Sequence, residues 1–276
     1  MSTSRGTYPT QPLSGRQALV TGGLGGIGRG IAVALAAQGA AIVLHDRAPT
    51  PDADAFVTEL AKAGAPAAEP VYFDLADPQA SRAGFAAVAA DHAIDIVVCS
   101  AGIQRTAPLA QMPRATWDAV LAVNLSSVFD AMAAFLPPMA ERGYGRFVSI
   151  ASVHGLVASL DKAAYVAAKH GLIGLTKAAA LEYARGGSPD AGGVTVNAIC
   201  PGWVRTDLIE PQIQALAADH AGDLDAAAVA LLRAKQPSLR FTEPAEIGAL
   251  VCLLAAPWSH NLTGAAIPID GAWVAT

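Results

Sequence analysis

Residues 21–28 read "TGGLGGIG", and this stretch joins an apolar run to a segment whose apolar residues recur at helical spacing. Two glycine patterns overlap in it. One begins at Gly22 and fits G-x-x-x-G-x-G, the other begins at Gly23 and fits G-x-G-x-x-G, and both end at Gly28. Such glycines allow a tight strand-to-helix turn, and a pyrophosphate can approach the N–H groups at the positive end of the helix dipole. A plain tight turn without a nucleotide is the alternative.

Strand-like and helix-like segments alternate on either side of this loop. Short, almost entirely apolar runs bounded by glycine predict buried strands, and longer runs with helical spacing predict the helices between them. The pattern predicts an α/β fold, a doubly wound Rossmann-type parallel sheet of about seven strands with helices on both faces. Predicted strands cover 17–22, 41–46, 70–74, 94–102, 145–152, 193–202 and 264–271; predicted helices cover 26–40, 52–64, 78–92, 113–142 (disturbed near its end by Pro137 and Pro138), 162–185 and 244–256.

The 276 residues show no internal repeat and no composition break, so we expect one domain over residues 15–276. Residues 1–14 are predicted to be a flexible leader, and they lack the apolar region of a signal peptide. Residues 203–240 form an irregular, partly helical excursion, and the "GGSPDAGG" stretch at 186–193 is predicted to be a flexible surface loop.

Composition and charge exclude several partner classes. Hydrophobic residues make up 53% and charged residues 15%, the net charge is −5, and basic residues form no run, which argues against nucleic acid or an anionic membrane as partners. No 18 consecutive apolar residues occur, so no membrane span is expected. Cys99, Cys200 and Cys252 lie in apolar stretches without metal-ligand spacing, which predicts reduced thiols, no metal site and a cytoplasmic protein.

A carboxylate follows the glycine loop at the expected distance. Asp46 ends the second predicted strand eighteen residues after Gly28, where it can accept both hydroxyls of an adenosine ribose and repel a 2′-phosphate. This favours NAD over NADP, although the neighbouring Arg47 could pair with a phosphate. Asp74, predicted to end the third strand, could bond the adenine amine or simply cap a helix.

Four polar groups are predicted to converge beside the nucleotide. Tyr165 and Lys169 are four residues apart on one predicted helix, so they share a helix face, and a nearby ammonium lowers the pKa of a phenol. Ser152 ends the fifth predicted strand, at the edge where α/β sheets bind ligands. Asn124 lies within a predicted helix, where asparagine is unfavourable unless its amide has a partner.

Together these motifs resemble the classical short-chain dehydrogenase/reductase family over residues 14–274. The resemblance implies a nicotinamide cofactor, with Tyr165 as the catalytic acid/base and Ser152 holding the reacting oxygen. It implies that Lys169 bonds the nicotinamide ribose and lowers the phenol pKa, and that Asn124 positions a water in a proton relay. The implied cofactor-binding residues are Gly22, Leu24, Gly26, Ile27, Gly28, Asp46, Asp74, Leu75, Ser100, Ala101, Gly102, Tyr165, Lys169, Pro201, Val204 and Thr206.

One stretch departs from the family pattern. The family usually carries N-N-A-G after its fourth strand, and this chain has Cys99, Ser100, Ala101 and Gly102. A serine hydroxyl reaches less far than an asparagine amide, so cofactor affinity or sheet geometry is in question there.

Longer strings, among them "SVHGLVASLDKAAYVAAKHG", "KQPSLRFTEP" and "IDGAW", resemble the bacterial D-3-hydroxybutyrate dehydrogenase subfamily. The resemblance implies NAD-dependent, reversible oxidation of (R)-3-hydroxybutyrate to acetoacetate, with residues 203–240 as a substrate lid. It also implies a homotetramer that packs through the helices near 113–142 and 162–185. The implied carboxylate-gripping residues are Gln104, His154, Lys162 and Gln212; Trp203 and Trp273 shape the pocket, and Ser152 and Tyr165 bind the hydroxyl.

Two alternatives remain at this stage. A related reductase acting on another 3-oxo acid, a ketoacyl thioester or a ketone would prefer NADPH, and a ketoacyl-carrier reductase would carry a basic docking face. A non-catalytic dinucleotide sensor would usually have lost the tyrosine or the lysine, and this chain keeps both.

Overall fold

Seven parallel strands form one sheet in the computed structural model, which describes residues 10–186, 192–207 and 209–275. Their order across the sheet is third, second, first, fourth, fifth, sixth, seventh. The first three strands extend the sheet in one direction and the last four extend it in the other, so the strand order reverses between the adjacent first and fourth strands. The predicted doubly wound parallel sheet is confirmed. The strands are β1 (Gln17–Thr21), β2 (Ala41–Asp46), β3 (Ala68–Tyr72), β4 (Ile96–Cys99), β5 (Tyr144–Ile150), β6 (Gly193–Pro201) and β7 (Ala266–Ile269).

Helices cover both faces of the sheet and divide the core into two layers. One layer packs the helices that follow β1 and β2, together with the last helix, against side chains such as Val20 and Leu44. The other packs the helices between β3 and β6 against side chains such as Leu19 and Phe147. The helices are α1 (Gly26–Ala37), α2 (Ala53–Ala63), α3 (Pro78–Asp91), α4 (Arg114–Leu121), α5 (Ser127–Arg142), α6 (Ala163–Tyr183), α7 (Glu210–Ala217), α8 (Leu224–Arg233) and α9 (Pro244–Ala255).

The long helix expected over 113–142 is interrupted at a different place from the one predicted. Pro137 and Pro138 lie inside α5 and do not end it, whereas a π-helical turn at Ala122–Ser126 separates α4 from α5. Asn124 lies in that turn, and its Nδ2 donates to the Val120 carbonyl at 2.8 Å, the acceptor that its own backbone N–H would use in an α-helix. The side chain therefore explains the break.

By length and composition alone, the helical segment Arg114–Arg142 is apolar enough to cross a membrane. Half of its most apolar window is buried inside the protein, as in the core helix of a globular domain. Its buried residues include Asn124 and Asp130, and Asp130 accepts a hydrogen bond from Ser81 on α3.

The packed domain begins before the predicted boundary at residue 15. Leu13 is fully buried, and its N–H donates to the Gln38 carbonyl at the end of α1. Residues 1–9 of the predicted leader and residues 187–191 of the predicted 186–193 loop lie outside the described residues.

The glycine loop is held by backbone contacts that exclude side chains. Gly22 has a φ of +63°, and a Cβ on it would lie 2.8 Å from Ala101 Cα after β4. A Cβ on Gly28 would overlap the Gly22 carbonyl oxygen, whereas a Cβ on Gly25 would lie 3.4 Å from that oxygen. The loop can therefore close only with glycine at positions 22 and 28, whereas position 25 has room for a side chain.

We expect Gly28→Ala to destabilise the fold by about 1–3 kcal/mol, because the added methyl group forces the loop away from α1. Gly25→Ala is the matched control and should leave stability within about 0.5 kcal/mol of the wild type, since its backbone is extended and its Cβ meets no clash. Chemical denaturation of the three proteins measures both effects. Equal stability of Gly28→Ala and the wild type would contradict the packing described here.

Candidate active site

Two adjoining cavities open at the carboxyl ends of the strands. A long cleft of about 640 Å³ follows the glycine loop, and a smaller pocket of about 110 Å³ lies beside α6. They share the lining residues Ile27, Ser100, Gly102 and Thr206 and are therefore continuous. Of the residues assigned to the cofactor, the cleft is lined by Gly22, Gly26, Ile27, Gly28, Asp46, Asp74, Leu75, Ser100, Ala101, Gly102 and Thr206, and Pro201, Val204, Tyr165 and Lys169 line the pocket.

Asp46 ends β2 at the mouth of the glycine loop. Its carboxylate accepts from the Leu24 N–H at 3.2 Å and from the Arg47 N–H at 2.8 Å. Leu24 lines neither cavity and contributes its backbone to this hydrogen bond. The carboxylate is thus fixed beside the cleft, where it can accept from ribose hydroxyls.

Asp74 does not end a strand, because β3 stops at Tyr72. It lies in the loop before α3, and its Oδ1 accepts from the Ala76 N–H at 2.8 Å. The residue caps this turn and also lines the cleft, so both interpretations of its carboxylate apply.

His45 is a buried residue of the cleft wall that sequence reasoning missed. Its Nε2 donates to the Phe73 carbonyl at 3.0 Å, and its ring lies 4.0 Å from the Phe73 ring. Burial lowers the pKa of His45 below its ordinary value, so the neutral ring links the end of β2 to the loop after β3.

The Cys99–Gly102 stretch is supported by Thr21 at the end of β1. The Thr21 hydroxyl accepts from the N–H groups of Ser100 and Ala101 at 3.1 and 3.2 Å. These bonds hold the ends of β1 and β4 together at the point where the strand order reverses. The sheet geometry there does not require the asparagine that the family usually carries.

Tyr165, Ser152 and Lys169 converge on the pocket. Lys169 is buried on α6, and its Nζ donates to the Ile150 carbonyl at 2.8 Å and lies 5.5 Å from the centre of the Tyr165 ring. A hydrogen bond links the side chains of Ser152 and Tyr165. Ser152 lies two residues beyond the end of β5.

The expectation that Lys169 lowers the Tyr165 pKa is not met in the protein alone. Burial raises the pKa of the Tyr165 phenol to about 12, and the bond with Ser152 opposes this only in part. Burial also lowers the pKa of Lys169 to about 8. Desolvation of the charged form is the largest cause of both shifts.

Asn124 lies behind the pocket wall. Its Nδ2 donates to the carbonyls of Ile103 and Val120 at 2.9 and 2.8 Å, so its orientation is fixed. Its buried Oδ1 has no partner within the described residues and lies against Gly102, where an added Cβ would be 2.8 Å from Oδ1 and 3.9 Å from Lys169 Nζ. The free acceptor and the ammonium therefore lie near the same small gap.

The six residues expected at the substrate also converge. Gln104, His154, Trp203, Gln212 and Trp273 line the pocket, and Lys162 lies behind it with its Nζ 4.9 Å from the centre of the Trp203 ring. The two indole rings are 5.2 Å apart, and Trp273 is 5.6 Å from the His154 ring. Trp273 completes the pocket of its own chain.

His154 and Lys162 are both buried, and a second lysine affects them. His154 Nε2 is 2.9 Å from the Ser159 hydroxyl. Burial, followed by repulsion from Lys162 and then Lys235, lowers the pKa of His154 to about 4. Burial and Lys235 also lower the pKa of Lys162.

Lys235 was given no role by the sequence reasoning. It belongs to the "KQPSLRFTEP" string, and the one signal that could have pointed to it was the presence of a lysine in an alanine-rich segment.

The three cysteines form no disulfide; Cys99 and Cys200 are buried and Cys252 is partly buried.

A doubly wound sheet with a glycine loop, an acidic residue at the end of β2, and a tyrosine beside a buried lysine and a buried serine defines a dinucleotide-dependent oxidoreductase. The sequence pattern of the short chain dehydrogenase family matches residues 16–216. The chain belongs to that family.

Relatives agree over nearly the whole chain. D-beta-hydroxybutyrate dehydrogenase of Cupriavidus necator is 43% identical over 279 residues, which cover 95% of this chain and 99% of the relative. The protein of the same name from Rhizobium meliloti is 38% identical, with 94% and 99% covered. A solved structure from Beutenbergia cavernae, described as NAD(P) dependent and holding NADP at low occupancy, has a TM-score of 0.84 at 35% identity, with 97% of this chain and all of that chain covered.

Because folding holds His154 neutral, we expect stability to fall as pH decreases. The unfolded chain takes up a proton below the ordinary pKa of 6.5, while the folded protein resists protonation down to about 4. Stability from this group is complete above pH 6.5 and decreases towards pH 4 by roughly 3 kcal/mol.

His154→Gln should remove this part of the pH dependence in denaturation measured from pH 4 to 7. His260→Gln, at an exposed position, is the matched control and should behave as the wild type. The same pH slope in His154→Gln and the wild type would show that His154 does not contribute it.

Proposed function

We propose that this chain catalyses the reversible, NAD-dependent oxidation of (R)-3-hydroxybutyrate to acetoacetate. The observation that carries the proposal is a pocket next to the dinucleotide cleft that is lined by His154. The buried Lys162 lies behind the pocket wall, and the exposed Lys235 is near enough to lower the pKa of both groups. Among the described residues neither lysine has an ion-pair partner, so the pocket offers positive charge to an anion from outside. The names of the two relatives support a hydroxybutyrate as that anion.

The carboxylate grip combines one charge with neutral donors. His154 is neutral near pH 7, because its pKa is about 4. Lys162 supplies the charge, and the amides of Gln104 and Gln212 on the pocket wall can donate to the carboxylate oxygens. An arriving anion relieves the repulsion between Lys162 and Lys235, which favours a charged substrate over a neutral alcohol.

Tyr165 would exchange the proton of the reacting hydroxyl, and Ser152 would hold that oxygen. The nicotinamide cofactor would supply the acceptor for the hydride and, in its oxidised form, a positive charge beside the phenol. In the protein alone the phenol keeps its proton at neutral pH, which suits it as the acid in the reduction of a ketone. Oxidation requires the phenolate, so the resting pKa must be lowered in the complex.

Lys169 and Asn124 would pass the proton onward. The Lys169 amine, with a pKa near 8, can gain or lose a proton near neutral pH. The unpartnered Asn124 Oδ1 fits an acceptor for a water molecule between Gly102 and Lys169. Such a water would connect Tyr165 to solvent without moving either side chain.

The choice of NAD over NADP is supported by Asp46. Its carboxylate is fixed at the edge of the cleft by two backbone N–H groups and would repel a 2′-phosphate. Arg47 lies beside it on the exposed rim and could offset that repulsion, so the cofactor must be tested directly.

We further propose that residues 203–240 close over the substrate. The helices α7 and α8 share a small apolar cluster with Trp203, separate from the two large core layers. A segment that packs mainly on itself can move as a unit and exclude water from the reaction. A homotetramer is proposed from the family resemblance alone.

Tyr165→Phe should lower kcat by about a thousandfold while leaving cofactor binding intact, because the variant removes only the hydroxyl group that carries the exchangeable proton. Tyr183→Phe, at the other end of α6, should retain wild-type turnover. Absorbance of reduced nicotinamide measures turnover, and calorimetry measures cofactor binding. Wild-type turnover by Tyr165→Phe would refute the proton-transfer role.

A panel of both enantiomers of short 3-hydroxy acids, matched uncharged alcohols and acetoacetyl thioester, each with NAD or NADP in the appropriate redox state, tests the proposed reaction. We expect the highest kcat/KM for the four-carbon R acid with NAD. Lys162→Met should raise KM for the acid about tenfold or more, because a charge-assisted hydrogen bond is lost. It should leave KM for an uncharged alcohol nearly unchanged.

Lys177→Met, at an exposed position on α6, is the matched control for loss of a lysine. Equal use of the acid and the uncharged alcohol would eliminate the carboxylate grip. Preference for the thioester with NADPH would favour the alternative reductase.

A further inference from the structure

Gln236 is a buried amide just after α8, and the reaction described above gives it no role. Its side chain is 1% exposed, and its backbone N–H donates to the Leu232 carbonyl at 2.6 Å. An uncharged amide that is completely buried costs free energy unless both of its ends are hydrogen-bonded.

Both ends of the Gln236 amide bond backbone groups. Oε1 accepts from the Trp203 N–H at 2.9 Å, and Nε2 donates to the Arg240 carbonyl. A backbone bond from the Thr242 N–H to the Trp203 carbonyl, at 2.8 Å, lies alongside. The amide therefore joins the beginning of the 203–240 segment to its end.

Gln236 also packs against two glycines that precede the pocket tryptophans. A Cβ on Gly202 would lie 2.5 Å from Gln236 Oε1, and a Cβ on Gly271 would lie 2.7 Å from Gln236 Cγ. Gly202 follows β6 and Gly271 follows β7, so the Gln236 side chain lies between the two segments that leave the ends of these strands. A Cβ at Gly271 would also lie against the Ser238 hydroxyl, and a Cβ at Gly202 would lie 3.0 Å from Asp270 Cα, so Gln236 is one of the groups that exclude side chains there.

A hydrogen-bonded turn connects Gly271 to Trp273. The buried Asp270 carboxylate accepts from the N–H groups of Ala272 and Val274 at 3.1 and 2.9 Å, and the Asp270 carbonyl accepts from the Trp273 N–H. Since the Trp203 N–H bonds Gln236 directly, both indole rings are connected to the same amide through short stretches of backbone. The rings lie 5.2 Å apart and form one wall of the substrate pocket.

We propose that Gln236 is a positioning residue that sets the separation of Trp203 and Trp273 and thereby limits the chain length of the acid that the pocket accepts. The chain-length part rests on the proposed function, whereas the ring separation does not. Removal of the amide should let the rings move apart, so that a longer alkyl chain fits.

Circular dichroism tests the ring separation without any substrate. Two indoles this close give an exciton couplet in the far ultraviolet, which Trp203→Phe and Trp273→Phe should each abolish. Gln236→Met keeps the volume and removes both hydrogen bonds, so it should lose most of the couplet while still unfolding cooperatively. Gln236→Ser, which leaves room for water at the freed backbone groups, is measured in the same way should the methionine variant fail to fold.

Chain-length selectivity tests the consequence for the pocket. Relative to the wild type, the Gln236 variant should lose about tenfold in its kcat/KM preference for 3-hydroxybutyrate over 3-hydroxyhexanoate, because one or two methylenes are discriminated by that order. The change should appear mainly in KM, with kcat altered less than about threefold, since Tyr165 and Ser152 are untouched.

Ser81→Ala is the control for general destabilisation, because Ser81 is buried and hydrogen-bonded to Asp130 far from the pocket. It should lower stability and leave the couplet and the selectivity unchanged. An intact couplet or unchanged selectivity in a folded Gln236 variant would overturn the proposal. If the wild type oxidises no 3-hydroxy acid, the proposed function fails, while the couplet still decides whether Gln236 holds the rings.

Discussion

The removal of water around Lys169 is the constraint on which the site depends. The ammonium is buried beneath the strand ends with the Ile150 carbonyl as its close acceptor, and burial lowers its pKa to about 8. The same burial raises the pKa of Tyr165 to about 12. Charge is therefore unfavourable on both groups at rest, and each becomes responsive to a charge that arrives with a ligand. The charge brought by a ligand can therefore change the protonation of both groups, as proton transfer requires.

The smaller pocket beside α6 is also a place where charge is unfavourable at rest, here because positive groups lie near one another. Lys162 and His154 are buried near the exposed Lys235, and neither lysine forms an ion pair among the described residues, so the fold tolerates repulsion that an anion would relieve. Structure near a binding site is often less stable than it could be, because the missing partner is the ligand. The tryptophan wall is different, since its position is set within the chain by backbone contacts around Gln236.

Local signals in the sequence were sufficient for the architecture. The alternation of apolar runs and helical spacing predicted all seven strands, within a few residues at each end, because buried parallel strands must be apolar. The signals failed where tertiary contacts decide. The prolines of α5 did not disturb the helix, while the side chain of Asn124 did, by taking the Val120 carbonyl. Asp74 was placed at a strand end because its hydrogen bond to Ala76 cannot be foreseen from spacing.

The sequence by itself determined the sheet, the glycine loop, the position of Asp46 and the identity of the residues that meet at the pocket. The sheet, the glycine loop and the position of Asp46 follow from periodicity and spacing, which are properties of neighbouring residues, whereas the pocket residues were named from the resemblance to known dehydrogenases. Only the tertiary structure decided the ionisation of Tyr165 and Lys169, the approach of Lys235 to Lys162, and the contacts of Gln236 with two glycines distant in sequence. Desolvation and close packing depend on what surrounds a group in space, and no local pattern encodes that surrounding.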